Sequence, residues 1–371
     1  MPPWKPPGTP DPHSLLAAGT DPTLLLNALE HEADRRLVAF LDGVLAYRRR
    51  PRPPRPPPAP AVWREGTTTL RAPPAPSDGP VVLIVPSLVN RAYILDLAPQ
   101  RSFIAHLAAS GLRPLLLDWD APGETERAFT LDDYVSGRLE RALGVARQLN
   151  GGRAPVLLGY CMGGTLAAGL ALTTPQPPAA LITLAAPWDF HAAASGGLPP
   201  DSLWPLLEPV VQALGELPVD LIQMLFAALD PGLVPAKFRR FAGWAEDDPR
   251  AIWFIRLEDW LNDGVALAGP LARQCLEDWY GANQPARNQW TLNGHTVDPT
   301  KARCPALIVR STSDRIVPDA SAKALGDTWK EADALPLSAG HIGMMAGSHA
   351  TTSLYQPLTT WLEHHLPTSG A

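Results

Sequence analysis

The chain has 371 residues, 46% of them hydrophobic, and a formal net charge of −6 at pH 7. That length suits one large α/β domain with an insertion, or two domains, and supports a sizeable core. The acidic balance, with no Lys/Arg stripe outside one Pro-rich segment, excludes a nucleic-acid binder, and three cysteines without a CxxC pair exclude a disulfide scaffold or cysteine metal site.

Met1-Pro2-Pro3-Trp4-Lys5-Pro6-Pro7 carries no apolar signal-peptide core, and no run of about 18 apolar residues follows anywhere. A soluble, cytoplasmic protein is therefore expected, with no transmembrane segment. Residues 1–80 read as a separate N-terminal arm. A helix over Ser14–Tyr47 is predicted from Leu24, Leu25, Leu29, Leu37, Val38, Leu41 and Leu45, which recur near a period of 3.6. It gives way to Arg48-Arg49-Arg50-Pro51-Arg52-Pro53-Pro54-Arg55-Pro56-Pro57-Pro58, where ring constraint and charge favour an extended, solvated linker. The 43 prolines of the whole chain read as a compositional bias that settles in loops.

From residue 81 onward strands and helices alternate. Strands are predicted at Val81–Val85, Pro114–Asp118, Val156–Leu158, Ala180–Ala185, Ala306–Arg310 and Ala334–Leu337. Helices are predicted at Arg101–Ser110, Leu131–Leu149, Ala320–Trp329 and Tyr355–Leu366. Such alternation implies an α/β fold, a mostly parallel sheet with helices on both faces. Between about 188 and 290 the alternation stops. That helical stretch, with Trp188, Trp204, Trp244, Trp253, Trp260, Trp279 and Trp290, reads as a cap inserted into a catalytic domain spanning 81–371.

Gly159-Tyr160-Cys161-Met162-Gly163-Gly164 follows the strand Val156–Leu158 and precedes an Ala/Leu-rich helix. A glycine-flanked turn between strand and helix is the setting of a nucleophile elbow, whose apex side chain stands above the sheet. The apex residue here is Cys161. The next backbone N–H, that of Met162, lies at a helix N-terminus and can face a developing oxyanion. A second oxyanion donor is expected from the loop Pro86-Ser87-Leu88-Val89-Asn90, as the backbone N–H of Leu88.

A thiol nucleophile needs a base, and the base an orienting group. In α/β-hydrolase arrangements the chain order is nucleophile, acid, histidine. Asp314 follows the strand Ala306–Arg310, and His341 sits between Gly340 and Gly343 in the loop after the last strand. Singly, an Asp after a strand is a turn residue and a lone His is structural. Three correct types in correct order, each at a strand end, form a candidate triad Cys161–Asp314–His341. The other histidines miss that order: His13, His31 and His106 precede the nucleophile, His191 and His295 precede the acid, and His349, His364 and His365 follow the His341 loop.

Cysteine in place of serine has a chemical consequence. A serine converts an incoming thioester into a less activated oxoester, whereas a cysteine keeps the acyl group as a thioester, and transfer onward to an alcohol is downhill. A free thiol ionises only near pH ~8.5, so His341 must produce the thiolate. The elbow thus suits acyl transfer from a thioester to a hydroxyl.

Several segments carry a specific resemblance: Leu88–Tyr93, Leu117–Trp119, Thr130–Tyr134, the Gly159–Gly164 box, Pro187–Phe190, Trp260–Asp263, Ile316–Ser321 and Gly340–Gly343. Together they resemble the polyhydroxyalkanoate synthases, most of all the catalytic subunit of the short two-subunit type. The resemblance runs from about residue 80 to the C-terminus. It implies an α/β-hydrolase fold, and growth of a polyester from 3-hydroxyacyl-CoA with Cys161 carrying the acyl chain and no separate cofactor. It also implies a polyester granule surface, a homodimer through the cap and a second synthase subunit as partners. Two positions depart from the family pattern. Met162 stands where the family has Gln, and Arg315 where it has His after the catalytic Asp; the N-terminal 80 residues do not match well.

Two other readings compete. A Cys-dependent hydrolase of hydroxyacyl thioesters, polyesters or lactones would use the same residues; dienelactone hydrolases share a similar Cys box but are shorter and lack a large cap. A non-catalytic granule-binding relative would use the N-terminal arm but has no need of a triad. A synthase must shield its thioester from water, so the cap is expected to cover Cys161, with a segment near Ala192–Pro200 or Leu229–Pro235 moving to admit the CoA ester.

Overall fold

The computed structural model describes residues 14, 19, 21–76, 78–192 and 203–366. They divide into two compact units, one made of Pro54–Leu229 with Asp259–Ala371, the other of Met1–Pro53 with Asp230–Glu258.

The larger unit is built on eight strands: β1 (Ala61–Glu65), β2 (Thr68–Arg71), β3 (Val81–Val85), β4 (Arg113–Asp118), β5 (Val156–Tyr160), β6 (Ala180–Leu184), β7 (Ala306–Ser311) and β8 (Ala332–Leu337). Their order across the sheet is β1-β2-β4-β3-β5-β6-β7-β8. From β4 to β8 every pairing is parallel, while β1–β2 and β2–β4 are antiparallel. The central strands β3, β5 and β6 are buried at every position. Continuous apolar runs such as Val81-Val82-Leu83-Ile84-Val85 are what a parallel sheet covered on both faces demands. The chain leaves β3 toward β4 and later returns to the other side of β3 as β5. The carboxyl ends of β3 and β5 therefore flank a topological switch point, where open α/β sheets place their sites.

The six strands and four helices predicted from residue 81 onward all fall within a few residues of observed elements. The helix expected over Leu131–Leu149 begins with a π-helical stretch, Asp133–Leu139, before regular helix at Glu140–Leu149. Three expectations need correction. The boundary expected near residue 80 falls at Pro54, because β1 and β2 lie in the supposed arm and join the sheet through β4. Proline-rich flanks hide that hairpin in the sequence. Its signal was the run Val62-Trp63-Arg64-Glu65-Gly66-Thr67-Thr68-Thr69-Leu70, a turn at Gly66 (φ 57°) between β-formers.

The second correction concerns the cap. Between 203 and 281 the chain is mostly helical, as expected of the cap, but Asp230–Glu258 belong to the smaller unit with the N-terminal helix. Of the segments expected to move, 193–200 lie outside the described residues, and Leu229–Pro235 is a turn leading into the helix Leu233–Ala242. Most of the cap tryptophans pack as core: Trp188, Trp204, Trp260, Trp279 and Trp290 are all buried, and Trp290 lies 6.1 Å from Trp188 and 5.2 Å from Trp279, ring to ring.

The third is the arm. Its helix, α1, spans Pro22–Arg49, with Asp21 capping the N–H of Thr23 at 2.8 Å and Pro22 in the first turn. Leu24, Leu29, Leu37, Val38, Leu41 and Leu45 are exposed, so the 3.6-period set does not form the buried face. The one buried residue is Gly43, where a Cβ would collide with the Phe238 carbonyl of the same unit. The Arg/Pro stretch is extended and largely exposed as expected, yet it is not a free spacer. Arg55 pairs with Asp263 at 3.0 Å and lies 4.4 Å over the Tyr93 ring.

Candidate active site

β5 ends in the elbow. Cys161 adopts φ 55° and ψ −131°, a backbone conformation costly for a residue with a Cβ. Its N–H donates to the Leu184 carbonyl at 2.8 Å and its own carbonyl accepts from Gly164 at 2.8 Å, so sheet and helix hold the turn from both sides. The next element, the helix Met162–Thr173, starts against the end of β3. A Cβ on Gly163 would strike the Val85 and Pro86 carbonyls, and one on Gly159 would strike the backbone of Gly163 and Gly164. Those two glycines let three backbone segments touch, which is why the cysteine stands at the apex.

The loop after β3 runs alongside. Its Pro86 carbonyl accepts from the Trp119 indole at 3.0 Å, and Val89 accepts from Val265 at 3.0 Å, which pins the loop at both ends. Neither the Leu88 nor the Met162 backbone N–H has an acceptor among the described residues. Both are backbone donors near the switch point, at the start of a helix and in the β3 loop.

Asp314 follows β7 and His341 opens the short helix His341–Ala346 after β8. Both are buried. Asp314 Oδ2 lies 2.6 Å from His341 Nδ1, while Oδ1 accepts the N–H groups of Ile316 at 2.8 Å and Val317 at 3.0 Å. Two backbone donors and the imidazole thus fix the carboxylate's rotation. The imidazole lies near enough to Cys161 for charge on its sulfur to act on it. With Nδ1 engaged by Asp314, Nε2 is the nitrogen left for sulfur. Burial lowers the pKa of His341, but the negative charge of a Cys161 thiolate, the hydrogen bond to Asp314 and the Asp314 charge outweigh it and hold it up to about 10. The three residues picked from the sequence are thus brought together, at the carboxyl ends of β5, β7 and β8.

Contacts around them escaped the sequence reading. Tyr160 stacks on His341, with ring centroids 5.1 Å apart and planes 26° from parallel, and its hydroxyl donates to the His341 carbonyl at 3.1 Å. Ser311 donates to the Ala339 carbonyl, tying the end of β7 to the His341 loop. On the other side lies Tyr280, in the π-helical segment Cys275–Gly281. Burial of its hydroxyl, then negative charge on Cys161 and Cys275, push its phenol well above the ordinary value, while the residue as a whole stays partly exposed. Phe190 packs edge-on against Tyr280 at 4.9 Å, and the Asn283 amide donates to Asp189 at 2.8 Å. Asp189 and Phe190 belong to a segment singled out by the family resemblance; Tyr280 and Asn283 gave no local signal, because their partners are about 90 residues away. Arg315 is exposed, and Met162 is buried. Among the described residues no group of three or more His, Cys, Asp or Glu side chains could hold a metal ion. No single described helix is long and apolar enough to cross a membrane.

Known proteins resemble this chain at two levels. Residues 80–215 match the family model for the alpha/beta hydrolase fold. A protein named poly(3-hydroxyalkanoate) polymerase subunit PhaC from Allochromatium vinosum is 31% identical over 319 residues, covering 82% of this chain and 88% of that one. Proteins of the same name from Haloferax mediterranei and Haloarcula marismortui are 32% and 33% identical, over 76% of this chain; the matched region spans 58% and 60% of their lengths. Among solved structures, a thermophilic esterase from Thermogutta terrifontis superposes with a TM-score of 0.52 at 16% identity, covering 84% of this chain and 99% of that one. The enol-lactonase from Burkholderia xenovorans LB400 gives 0.51 at 16% identity, covering 83% and 100%. These distant likenesses carry the fold alone.

Proposed function

The chain belongs to the poly(3-hydroxyalkanoate) polymerase family, and we propose that it grows a polyester from 3-hydroxyacyl-CoA using Cys161, His341 and Asp314. The observation that carries this reading is the buried Asp314–His341 hydrogen bond set beside a cysteine at a strained elbow. In the first half-reaction the Cys161 sulfur attacks the thioester carbonyl. The new C–S bond to Cys161 forms, the bond to the CoA sulfur breaks, and His341 gives its proton to the departing CoA thiolate. In the second, the hydroxyl end of the growing chain attacks acyl-Cys161. His341 takes the hydroxyl proton, the ester bond forms, and Cys161 leaves as a thiolate. The backbone N–H groups of Met162 and Leu88 receive the oxyanion in both halves. Asp314 holds the imidazole in the tautomer that presents Nε2 to sulfur.

So written, the reaction needs the CoA ester as substrate and no metal or cofactor. The setting proposed with it is cytoplasmic, at a polyester granule surface, as a homodimer and with a second synthase subunit. The test is incubation with 3-hydroxybutyryl-CoA, following CoA release and the product. Polymer together with CoA is the expected outcome. Free 3-hydroxybutyrate as sole product replaces the synthase with a thioester hydrolase, and full CoA release by Cys161→Ala removes the cysteine from the chemistry.

A further inference from the structure

Two stretches singled out in the sequence, Leu88–Tyr93 and Trp260–Asp263, meet in the fold through contacts between residues 169 and 170 positions apart. The Trp260 indole donates to the Arg91 carbonyl at 2.8 Å, and the Tyr93 hydroxyl donates to Asp263 Oδ2 at 3.0 Å. Arg91 Nε lies 3.5 Å from Asp263 Oδ1. Just beyond, Gly264 forms a β-bridge with Asn90, and the Val265 N–H donates to the Val89 carbonyl at 3.0 Å. Val89, Asn90, Arg91 and Tyr93 are thus each held by the stretch 260–265.

The residue just before them is Leu88, whose N–H is the second oxyanion donor of the proposed reaction. Upstream of it, the Pro86 carbonyl is held by the Trp119 indole. A donor stabilises an oxyanion best when it is aimed before the charge develops, because no reorganisation is then needed during the reaction. Leu88 lies between β3 and the short helical turn Ala92–Leu95 and belongs to neither, so its aim depends on these contacts.

Asp263 is the charged member of the grip. Its carboxylate receives Tyr93 and Arg91 from the loop, and Arg55 from the proline-rich stretch. Arg91 has a second acid, Asp120 after β4, on its other side. Asp263 is therefore what keeps the guanidinium from turning wholly to Asp120. Both members of the Arg91–Asp263 pair are partly exposed, so the pair contributes little to global stability while it fixes local geometry.

We infer that Asp263 is a positioning residue for acyl transfer: by holding Arg91 and Tyr93 it keeps the Leu88 N–H aimed at the oxyanion that forms on the thioester carbonyl. The inference rests on the acyl-transfer reading proposed above, and it carries a signature of its own. Attack on a thioester passes through a tetrahedral oxyanion and needs the Leu88 donor. Alkylation of Cys161 by iodoacetamide is a displacement at a saturated carbon, forms no oxyanion and does not need it.

The experiment compares, in the full chain, CoA release from 3-hydroxybutyryl-CoA with the rate of Cys161 alkylation. In Asp263→Ala the kcat for CoA release should fall about 30-fold while KM and the alkylation rate stay within about twofold, because the lost interaction is made only in the transition state. Asp263→Asn still accepts from Tyr93 and should lose only about fivefold in kcat. Tyr93→Phe removes one hydroxyl and keeps the ring beneath Arg55, so it tests the same grip if Asp263→Ala does not fold; about a fivefold fall in kcat alone is expected. The double variant of Asp263→Ala and Tyr93→Phe should be no slower than Asp263→Ala, since both act on one loop. Natural kcat in Asp263→Ala or in Tyr93→Phe overturns the inference. So does an equal fall in alkylation, which would place the damage at the thiol, and so does a raised KM with natural kcat, which would make Asp263 a substrate-binding residue. The acyl-transfer reading fails separately, and takes the inference with it, if the natural chain and Cys161→Ala release CoA alike.

Discussion

The helix that follows the Cys161 elbow carries no charged residue, whereas α1 mixes leucines with Glu, Asp and Arg along its length, and the two are held in opposite ways. Around the elbow, every residue from Met162 to Ala171 is buried, and two glycines allow backbone to meet backbone on both sides of the cysteine. In α1 one glycine makes such a contact, and most of the leucines face outward. The uncharged helix is thus part of a closely packed platform, while the charged one leaves leucines at the surface. What differs is how many neighbouring segments close on the element. The strained φ of Cys161 persists because the surrounding backbone over-determines it.

The contrast can be broken first at the nucleophile. Cys161→Ala is expected to lower CoA release by about 1,000-fold or more while the urea midpoint barely moves, since in the proposed reaction the side chain does chemistry rather than packing. Gly163→Ala tests the platform itself. Its Cβ would meet two carbonyls that cannot yield, so a loss of roughly 3 kcal/mol in urea unfolding is expected, whereas Leu41→Ala on α1 should stay within about 0.5 kcal/mol. Equal effects at the two sites would erase the distinction.

Thiol chemistry sharpens it further. Burial pushes the Cys275 thiol far up and Cys304 to about 12, so iodoacetamide should modify Cys161 well before either. His341→Ala should slow that reaction about tenfold or more, and Asp314→Asn should slow it less, because the carboxylate orients the base. The same imidazole links to stability. Its pKa is raised from 6.5 to about 10 in the fold, so its contribution is fully present below about pH 6.5 and lost as pH rises through about 10. The difference in urea midpoint between the natural chain and His341→Ala should accordingly shrink between pH ~7 and ~10.5.

The smallest expected effect belongs to Tyr160. Tyr160→Phe keeps the stacking on His341 and removes only the hydrogen bond to its carbonyl. A few-fold fall in kcat with KM unchanged is expected, as for a group that positions the base. A change in KM alone would assign Tyr160 to substrate binding instead.

Local sequence determined the parts of this protein whose physics is local. The unbroken apolar runs specified buried parallel strands, the glycine pattern specified the elbow, and the order Cys161, Asp314, His341 at successive strand ends specified where to look for the chemistry. Those signals are readable because each depends on residues within a few positions of one another. Tertiary structure decided the rest. The β1–β2 hairpin joins the sheet by pairing with β4, a partner more than 40 residues away, so its proline-rich flanks misled the reading. Tyr280 and Asn283 meet Phe190 and Asp189 through contacts that no short window contains. For α1, periodicity gave the helix but not its buried face. Which side is covered depends on where another backbone comes close enough to require a glycine, and only the folded chain brings Gly43 against Phe238.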